Sequence, residues 1–330
     1  MIRPRTLAGR PVNPVGLGCM SLSWAYGTPP GEDAAAALLR RALDLGYDHF
    51  DTACIYGDGH NESLIGRTLA GQRQGFFLAT KAGIVVDGSK RRIDCSPAAL
   101  RASCERSLER LRTDHIDLFY LHRRDFDTPI EESVGALAAL VKEGKIGAIG
   151  LSEMSAATLR RACSEHPIAA MQTEYSPWTR NADIAVIDAC AELGVAFVAF
   201  SPLARGVLAN AVRDPATLPA GDIRKAMPRF AAPNWASNLA LVDGFNALAA
   251  ECSVTPAQLS LAFVLSRGEH VLAIPGTSNI DHLTENMARA DWTIPPGIAA
   301  RVDALINTST VAGNRYGAAM QATIDTEEFD

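Results

Sequence analysis

An excess of positive charge is the first thing this chain lacks. Its 31 Lys and Arg face 37 Asp and Glu, a net charge of −6. That balance leaves no basic footprint for nucleic acid and acts mainly on solubility. Long hydrophobic runs are missing too. No stretch reaches the ~20 apolar residues needed to span a bilayer, and Met1-Ile2-Arg3-Pro4-Arg5-Thr6-Leu7 has no apolar core of signal-peptide length. Cysteines number seven, an odd count, scattered and without a Cys-x-x-Cys pair. Reduced thiols in a cytoplasmic setting are therefore expected in place of a disulfide framework. The seven histidines do not cluster with them at zinc spacings, so no metal is expected.

What is present is a core. Hydrophobic content of 48% and charged content of 21% suit a soluble globular protein, and 330 residues suit one large α/β domain or two ordinary ones. Arg5-Thr6-Leu7-Ala8-Gly9-Arg10-Pro11-Val12 reads as a small hairpin. After it, short apolar segments near 15–18, 47–50, 76–80, 116–121, 147–151, 168–172, 195–200 and 271–274 alternate with helix-like segments. The latter, near 32–45, 61–70, 97–112, 129–143, 155–165, 182–193, 237–251 or 256–267, and 279–288, repeat apolar residues at three- and four-residue steps. Thr128-Pro129-Ile130-Glu131 and Thr255-Pro256-Ala257-Gln258 have the form of capped helix starts. Eight such units predict parallel strands with right-handed crossovers, closed as a (β/α)8 TIM barrel in one domain over 1–330. Residues 204–236 and 306–330 break the alternation and are expected to overhang the barrel's C-terminal face, where loops select substrate.

On that face the strand ends carry chemistry. Asp51-Thr52-Ala53-Cys54-Ile55-Tyr56-Gly57 follows one strand, Lys81 ends the next, and His122 ends Ile116-Asp117-Leu118-Phe119-Tyr120-Leu121. Reducing a carbonyl requires a proton for the developing alkoxide. A tyrosine holds its proton up to a pKa of about 10, and a neighbouring ammonium lowers that value. Lys81 is expected to do so for Tyr56, with Asp51 pairing to Lys81 and His122 aligning the carbonyl. Singly, these residues read as a turn former, a packed ring, a surface lysine and a core histidine. Together at one level of a predicted barrel they form a proton-transfer site.

These segments resemble signatures of the aldo-keto reductase superfamily, and the likeness runs nearly end to end. Gly16-Leu17-Gly18-Cys19-Met20, Ala79-Thr80-Lys81, Gly144-Lys145-Ile146-Gly147-Ala148-Ile149-Gly150-Leu151-Ser152, Ser201-Pro202-Leu203-Ala204-Arg205-Gly206, and Ile274-Pro275-Gly276-Thr277 with Glu285-Asn286 belong to the set. Gly144-Lys145-Ile146, Ser152-Glu153 and Gly313-Asn314-Arg315-Tyr316 look most like microbial and plant members of pyridoxal-reductase-like and auxin-induced type. The resemblance implies NADP(H) bound across the barrel top without a Rossmann domain, in keeping with the missing G-x-G-x-x-G turn. It implies Tyr56 as general acid, Ser152 and Gln172 on the nicotinamide carboxamide, and Phe200 stacked on the ring. Ser201, Leu203 and Arg205 follow the pyrophosphate, Gly276 and Thr277 also bind the cofactor, and Asn286 reaches the adenine.

Two departures bear on the cofactor. The family's carboxamide pair is usually Ser then Asn, whereas Glu153 follows Ser152 here, and a carboxylate accepts but cannot donate. Relatives usually place Lys or Arg after the Pro-Gly-Thr segment for the 2′-phosphate. This chain has Ser278, Asn279 and Asp281, with His282 the only candidate cation and a helix start whose amides suit an anion. NAD(H) or dual use therefore stays open beside NADP(H). Trp24, Tyr26, Arg123 and Trp178 are candidate pocket walls, Arg123 for an anionic substrate; Trp235 and Tyr316 are others, with loop packing preferred for Trp235. Two rival functions remain: a nucleotide-binding regulatory subunit of the channel-β kind, and a Schiff-base barrel using Lys81 as nucleophile.

Overall fold

The computed structural model describes residues 2–87 and 90–329. Strands β1 (Arg5–Leu7) and β2 (Arg10–Val12) form the expected antiparallel hairpin. Then come β3 (Leu17–Gly18), β4 (His49–Asp51) and β5 (Phe77–Ala82), followed by a second hairpin, β6 (Ile84–Asp87) with β7 (Lys90–Ile93). Strands β8 (Leu118–Leu121), β9 (Ile149–Ser152), β10 (Ile168–Glu174), β11 (Ala196–Phe200) and β12 (Val271–Ile274) complete the set. Strands β3, β4, β5 and β8 to β12 pair in parallel in that order, and bridges from Val15 to Ala273 and Gly18 to Gly276 close the ring. The fold is a (β/α)8 barrel.

Helices α1 (Glu32–Asp44), α2 (His60–Leu69), α3 (Pro97–Leu111), α4 (Ile130–Lys142), α5 (Ala156–Glu165) and α6 (Val186–Leu193) form the connections between consecutive barrel strands from β3 to β11. Both alternatives for the seventh helix exist, as α7 (Ala232–Glu251) and α8 (Pro256–Leu265); α9 (Ile280–Ala288) follows β12, then α10 (Pro296–Leu305) and α11 (Ala318–Gln321). No single helix among the described residues is long and apolar enough to cross a membrane.

Alternation along the strands sorts the core into two layers. Phe77 and Ala79 of β5 pack in the lumen with Leu118, Tyr120, Val198 and Leu272, where Leu7 and Val12 of the first hairpin plug one end. Leu78 and Ala82 face the helices with Phe119, Leu137 and Leu151. The lumen is tight: a Cβ on Gly150 would lie 2.3 Å from the Tyr120 ring, so only glycine fits there.

Local expectations fare unevenly. The Thr255–Gln258 capping box is present. Thr128 is no cap: its hydroxyl donates to Asp125 at 2.8 Å, and α4 begins one residue past Pro129 without a side-chain cap. Helix α6 starts at Val186, not 182, because Asn181–Asp183 closes into a 3-10 turn. The hairpin β6–β7 was not expected. Segment 204–236 folds into short 3-10 turns whose Val207, Leu208 and Phe230 pack on Trp235 and Phe245 of α7.

His49 stands in the lumen layer with its ring edge-on to Phe77 at 5.6 Å, and neither ring nitrogen has a partner among the described residues. Burial pushes its pKa down to about 4. Below an unfolded value near 6.5, the unfolded chain takes up a proton that the folded barrel refuses. Stability therefore falls as pH drops from about 6.5 toward 4, on the order of 3 kcal/mol in all from this one group. Melting temperatures measured from pH 7.5 to 4.5 should fall less steeply in His49→Met; an unchanged slope would clear His49 of the effect.

Candidate active site

The alternation that sends Phe77 and Ala79 inward also sends Lys81 inward, and on neighbouring strands it does the same for Asp51, Ser152 and Gln172. Each sits at or near its strand's C-terminal end. Asp51 and Lys81 form an ion pair at 1–3% side-chain exposure. The Lys81 ammonium also donates to the Thr52 carbonyl at 2.8 Å and lies 3.5 Å from the Tyr56 hydroxyl. Gln172 Nε2 donates to the second Asp51 oxygen at 2.8 Å, across the lumen. The Tyr56 and His122 rings stand 6.0 Å apart, nearly perpendicular. All four expected residues meet at one point.

The loop carrying Tyr56 is pinned from below. The Thr52 hydroxyl donates to Asn61 Oδ1 at 2.6 Å, and Asn61 Nδ2 donates to the Cys19 carbonyl at 2.8 Å. Beside it, buried Glu62 accepts from the Thr80 hydroxyl at 2.6 Å and pairs with Arg110 at 2.7 Å.

Electrostatics assign protonation states. Burial alone would push the Lys81 pKa down, but Asp51 and Tyr56 outweigh it and leave it above the usual lysine value. Lys81 is thus a held cation, unsuited to Schiff-base attack. Burial raises the Tyr56 pKa, and Lys81 opposes without reversing the shift. The expected net lowering does not occur, because desolvation of the phenol outweighs its cationic neighbour. His122 is pushed well below its usual value by burial, then by Arg123, Lys81 and Arg91. At neutral pH the imidazole is uncharged.

The remaining expected residues ring this centre. Ser152 Oγ and, from α9, Asn286 Oδ1 are buried without a hydrogen-bond partner among the described residues, an uncommon condition for enclosed polar atoms. Phe200 is half-buried at the end of β11. Beyond it Ser201, Ala204 and Arg205 all take left-handed backbone angles (φ 49°, 49° and 58°), a strain that collects at functional loops. Leu203 packs on the outer core. Arg205 does not reach outward: its guanidinium pairs with Glu174 at 2.5 Å and donates to the Tyr316 hydroxyl at 2.9 Å. Gly276 bridges to Gly18, and Thr277 is buried. Ser278 and His282 are exposed. The helix amides expected to meet a phosphate are taken, since Asn279 Oδ1 accepts from Asp281 at 2.7 Å and His282 at 3.4 Å.

Known proteins carry the same architecture. The model of the Aldo/keto reductase family matches residues 14–307. A curated relative, aldo-keto reductase yakc of Schizosaccharomyces pombe, whose name carries NADP(+), is 38% identical over 334 residues, covering 98% of both chains. This chain belongs to the aldo/keto reductase family. Among solved family structures, glycerol dehydrogenase from Gluconobacter oxydans aligns with a TM-score of 0.84 at 29% identity, covering 96% of this chain and 98% of its own. An aldo/keto reductase from Klebsiella pneumoniae, in complex with NADP and acetate, aligns at 0.73 and 27%, covering 96% and 99%.

Where this family member departs from the common pattern, the structure gives a reason. Glu153 does not turn its carboxylate toward Ser152's neighbourhood. Its backbone is left-handed (φ 55°), and the fully buried side chain pairs with Arg315, accepts from the Glu174 amide at 2.8 Å, and accepts from the Thr326 hydroxyl at 3.0 Å. Arg315 also bridges to Glu174 at 3.0 Å. The tail continues over the start of α5, where Asp325 accepts from the Ser155 amide at 3.0 Å and Glu327 from the Ala156 amide at 2.8 Å. Carboxylates at a helix N-terminus are favourable there.

Among the proposed pocket walls, Trp24 lies under Arg91 at 4.7 Å and Tyr26 under Arg224 at 4.8 Å. Trp178 and Trp235 are buried in the core beneath segment 204–236, and Tyr316 is buried beside Arg315. Gln172 as the brace of Asp51 escaped the sequence reading, and so did Arg91 on β7. The Gly88-Ser89 pair between Val85-Val86-Asp87 and the basic run Lys90-Arg91-Arg92 was the available signal for that hairpin.

Arg315→Met should leave two buried carboxylates short of a cation, costing about 3–5 kcal/mol. Thermal melting and limited proteolysis should show a less stable chain that is cut first within 317–329; a variant as stable and as resistant as the parent would show the tail to be held elsewhere.

Proposed function

We propose that this chain is an NADP(H)-dependent reductase of aldehydes and ketones, acting in the cytoplasm as one unit over 1–330. The single observation behind this reading is the Lys81 ammonium held between Asp51 and the Tyr56 hydroxyl, 3.5 Å away. The cofactor fits the unpartnered atoms: Ser152 Oγ and Asn286 Oδ1 are enclosed polar groups awaiting a ligand, suited to the carboxamide and adenine ends. Gln172 and Phe200 complete the nicotinamide end, and Ser201, Leu203, Gly276 and Thr277 line the path between. When bound, NADPH supplies the hydride that reduces the carbonyl carbon.

The chain's own residues handle the oxygen. Neutral His122 donates a hydrogen bond that orients the carbonyl and carries no proton away. Tyr56, whose raised pKa keeps it protonated at neutral pH as an ordinary phenol would be, gives its proton to the developing alkoxide. Lys81 stabilises the phenolate left behind, and Asp51 with Gln172 keeps that ammonium in place. A raised phenol pKa by itself makes the proton harder to give up, so the adjacent Lys81 ammonium is what makes its departure possible.

Oxidation of NADPH and NADH, followed by absorbance against aromatic, aliphatic and sugar aldehydes, tests the reading. Turnover is expected with NADPH, and Tyr56→Phe should reduce it about 10²–10⁴-fold with cofactor binding kept. Reduction should hold steady through neutral pH and decline only above the ordinary phenol value of about 10, because protonated Tyr56 is the active form. Tight NADPH binding with no turnover of any carbonyl would move the assignment to a regulatory nucleotide-binding subunit. Ser278→Arg should tighten NADPH more than NADH, since only the former has a 2′-phosphate to pair; equal tightening would place that phosphate elsewhere.

A further inference from the structure

Two arginines at the mouth of this centre stand without carboxylate partners. Arg123 follows His122 at the end of β8, is half-buried, and gives Nη1 to the His122 carbonyl at 2.7 Å. Arg91 lies on β7, the returning strand of the hairpin that follows Lys81, with its guanidinium over Trp24 at 4.7 Å. Neither forms an ion pair with an Asp or Glu among the described residues. Their sequence neighbours are committed: Arg92 pairs with Asp94 at 2.6 Å, and Arg124 donates to the Thr128 carbonyl at 2.7 Å.

Half-buried Arg123 loses hydration, and the longer-range pull of the buried Glu153 carboxylate offsets part of that loss, while Arg91 is exposed. Its planar fork of donors matches a carboxylate or phosphate. Both charges act on the reaction centre, since Arg123 and Arg91 each help keep His122 neutral. The chain as a whole carries −6, so its overall field repels anions, and this cationic mouth is a local exception. A local positive field of this kind raises the concentration of oppositely charged substrate nearby.

Resting on the carbonyl-reductase reading, we propose that the preferred substrates carry an anionic substituent, a carboxylate or a phosphate, held by Arg123 with Arg91 beside it while the carbonyl lies at Tyr56 and His122. Arg123 is then a specificity-determining residue. Its contact is made in ground state and transition state alike, so its loss appears chiefly in KM.

The test compares kcat/KM with NADPH for 2-, 3- and 4-carboxybenzaldehyde against their methyl esters, and for glyceraldehyde 3-phosphate against glyceraldehyde. At least one charged probe should exceed its neutral counterpart tenfold or more, and which pair does so identifies the anion. Arg123→Gln should collapse that ratio at least tenfold, mostly through KM; Arg123→Lys should recover part of it; Arg91→Gln should lower it less. Added salt should shrink the ratio in the parent protein. Because each ratio is taken within one preparation, partial unfolding of a variant does not disturb it. Ratios near or below one for every pair, with the neutral aldehydes turned over, would overturn this inference and leave the reductase reading standing. A ratio unmoved by Arg123→Gln would likewise overturn it. No reduction of any probe, charged or neutral, would overturn both.

Discussion

A cation sealed inside a barrel is the constraint around which this protein is built. Lys81 has three N–H donors and no acceptor, and the structure meets all three: the Asp51 carboxylate, the Thr52 carbonyl and the Tyr56 hydroxyl. Asp51 in turn has its second oxygen met by Gln172 from the far wall. Burial of an ion pair is costly unless its remaining hydrogen-bonding capacity is satisfied. Here satisfaction needs β4, β5 and β10 at fixed spacing, so the pair depends on the closed sheet. The tight lumen beneath, with Tyr120 against Gly150, holds that spacing.

From this constraint follows the balance at Tyr56. Dehydration holds the proton on the phenol, and the adjacent ammonium makes its departure tolerable. The two effects oppose each other on the same oxygen, and desolvation prevails. His122 takes no part in the charge balance because burial and three cations keep it neutral.

The barrel and the four central residues were legible because strand ends and the turns after them can be read locally, and strand periodicity explains why Asp51 and Lys81 face inward. Once 77 and 79 are known to face inward, 81 must, and the same holds for 49 and 51. Glu153 was not legible. Its neighbour Ser152 faces the centre, but one left-handed residue swings the carboxylate to Arg315, 162 positions later in sequence. Nor was the fate of Arg205, which sits in a family segment but turns inward to Glu174 and Tyr316. Thr128 had the form of a cap, yet the helix starts one residue later with Pro129 at the cap position, and the Thr128 hydroxyl donates to Asp125. Net pKa shifts were beyond reach too, since a lysine neighbour can be read from sequence but the depth of a phenol cannot.

The hairpin at the barrel's base has a consequence for how the chain reaches its native state on the ribosome. Arg5 is tied to the carbonyls of Leu265 and Gly268, and Pro14 and Gly16 bond to Ala273, so the first strands are completed by nearly the last. Contacts that bridge some 260 residues cannot form before the chain has been made through residues 265–273. Leu7, Val12 and the inward faces of β3 and β4 therefore spend most of translation without their final neighbours, a period in which apolar surface invites association. Closing the ring therefore waits for β12, and the exposure that precedes it is the interval in which a chaperone would matter most.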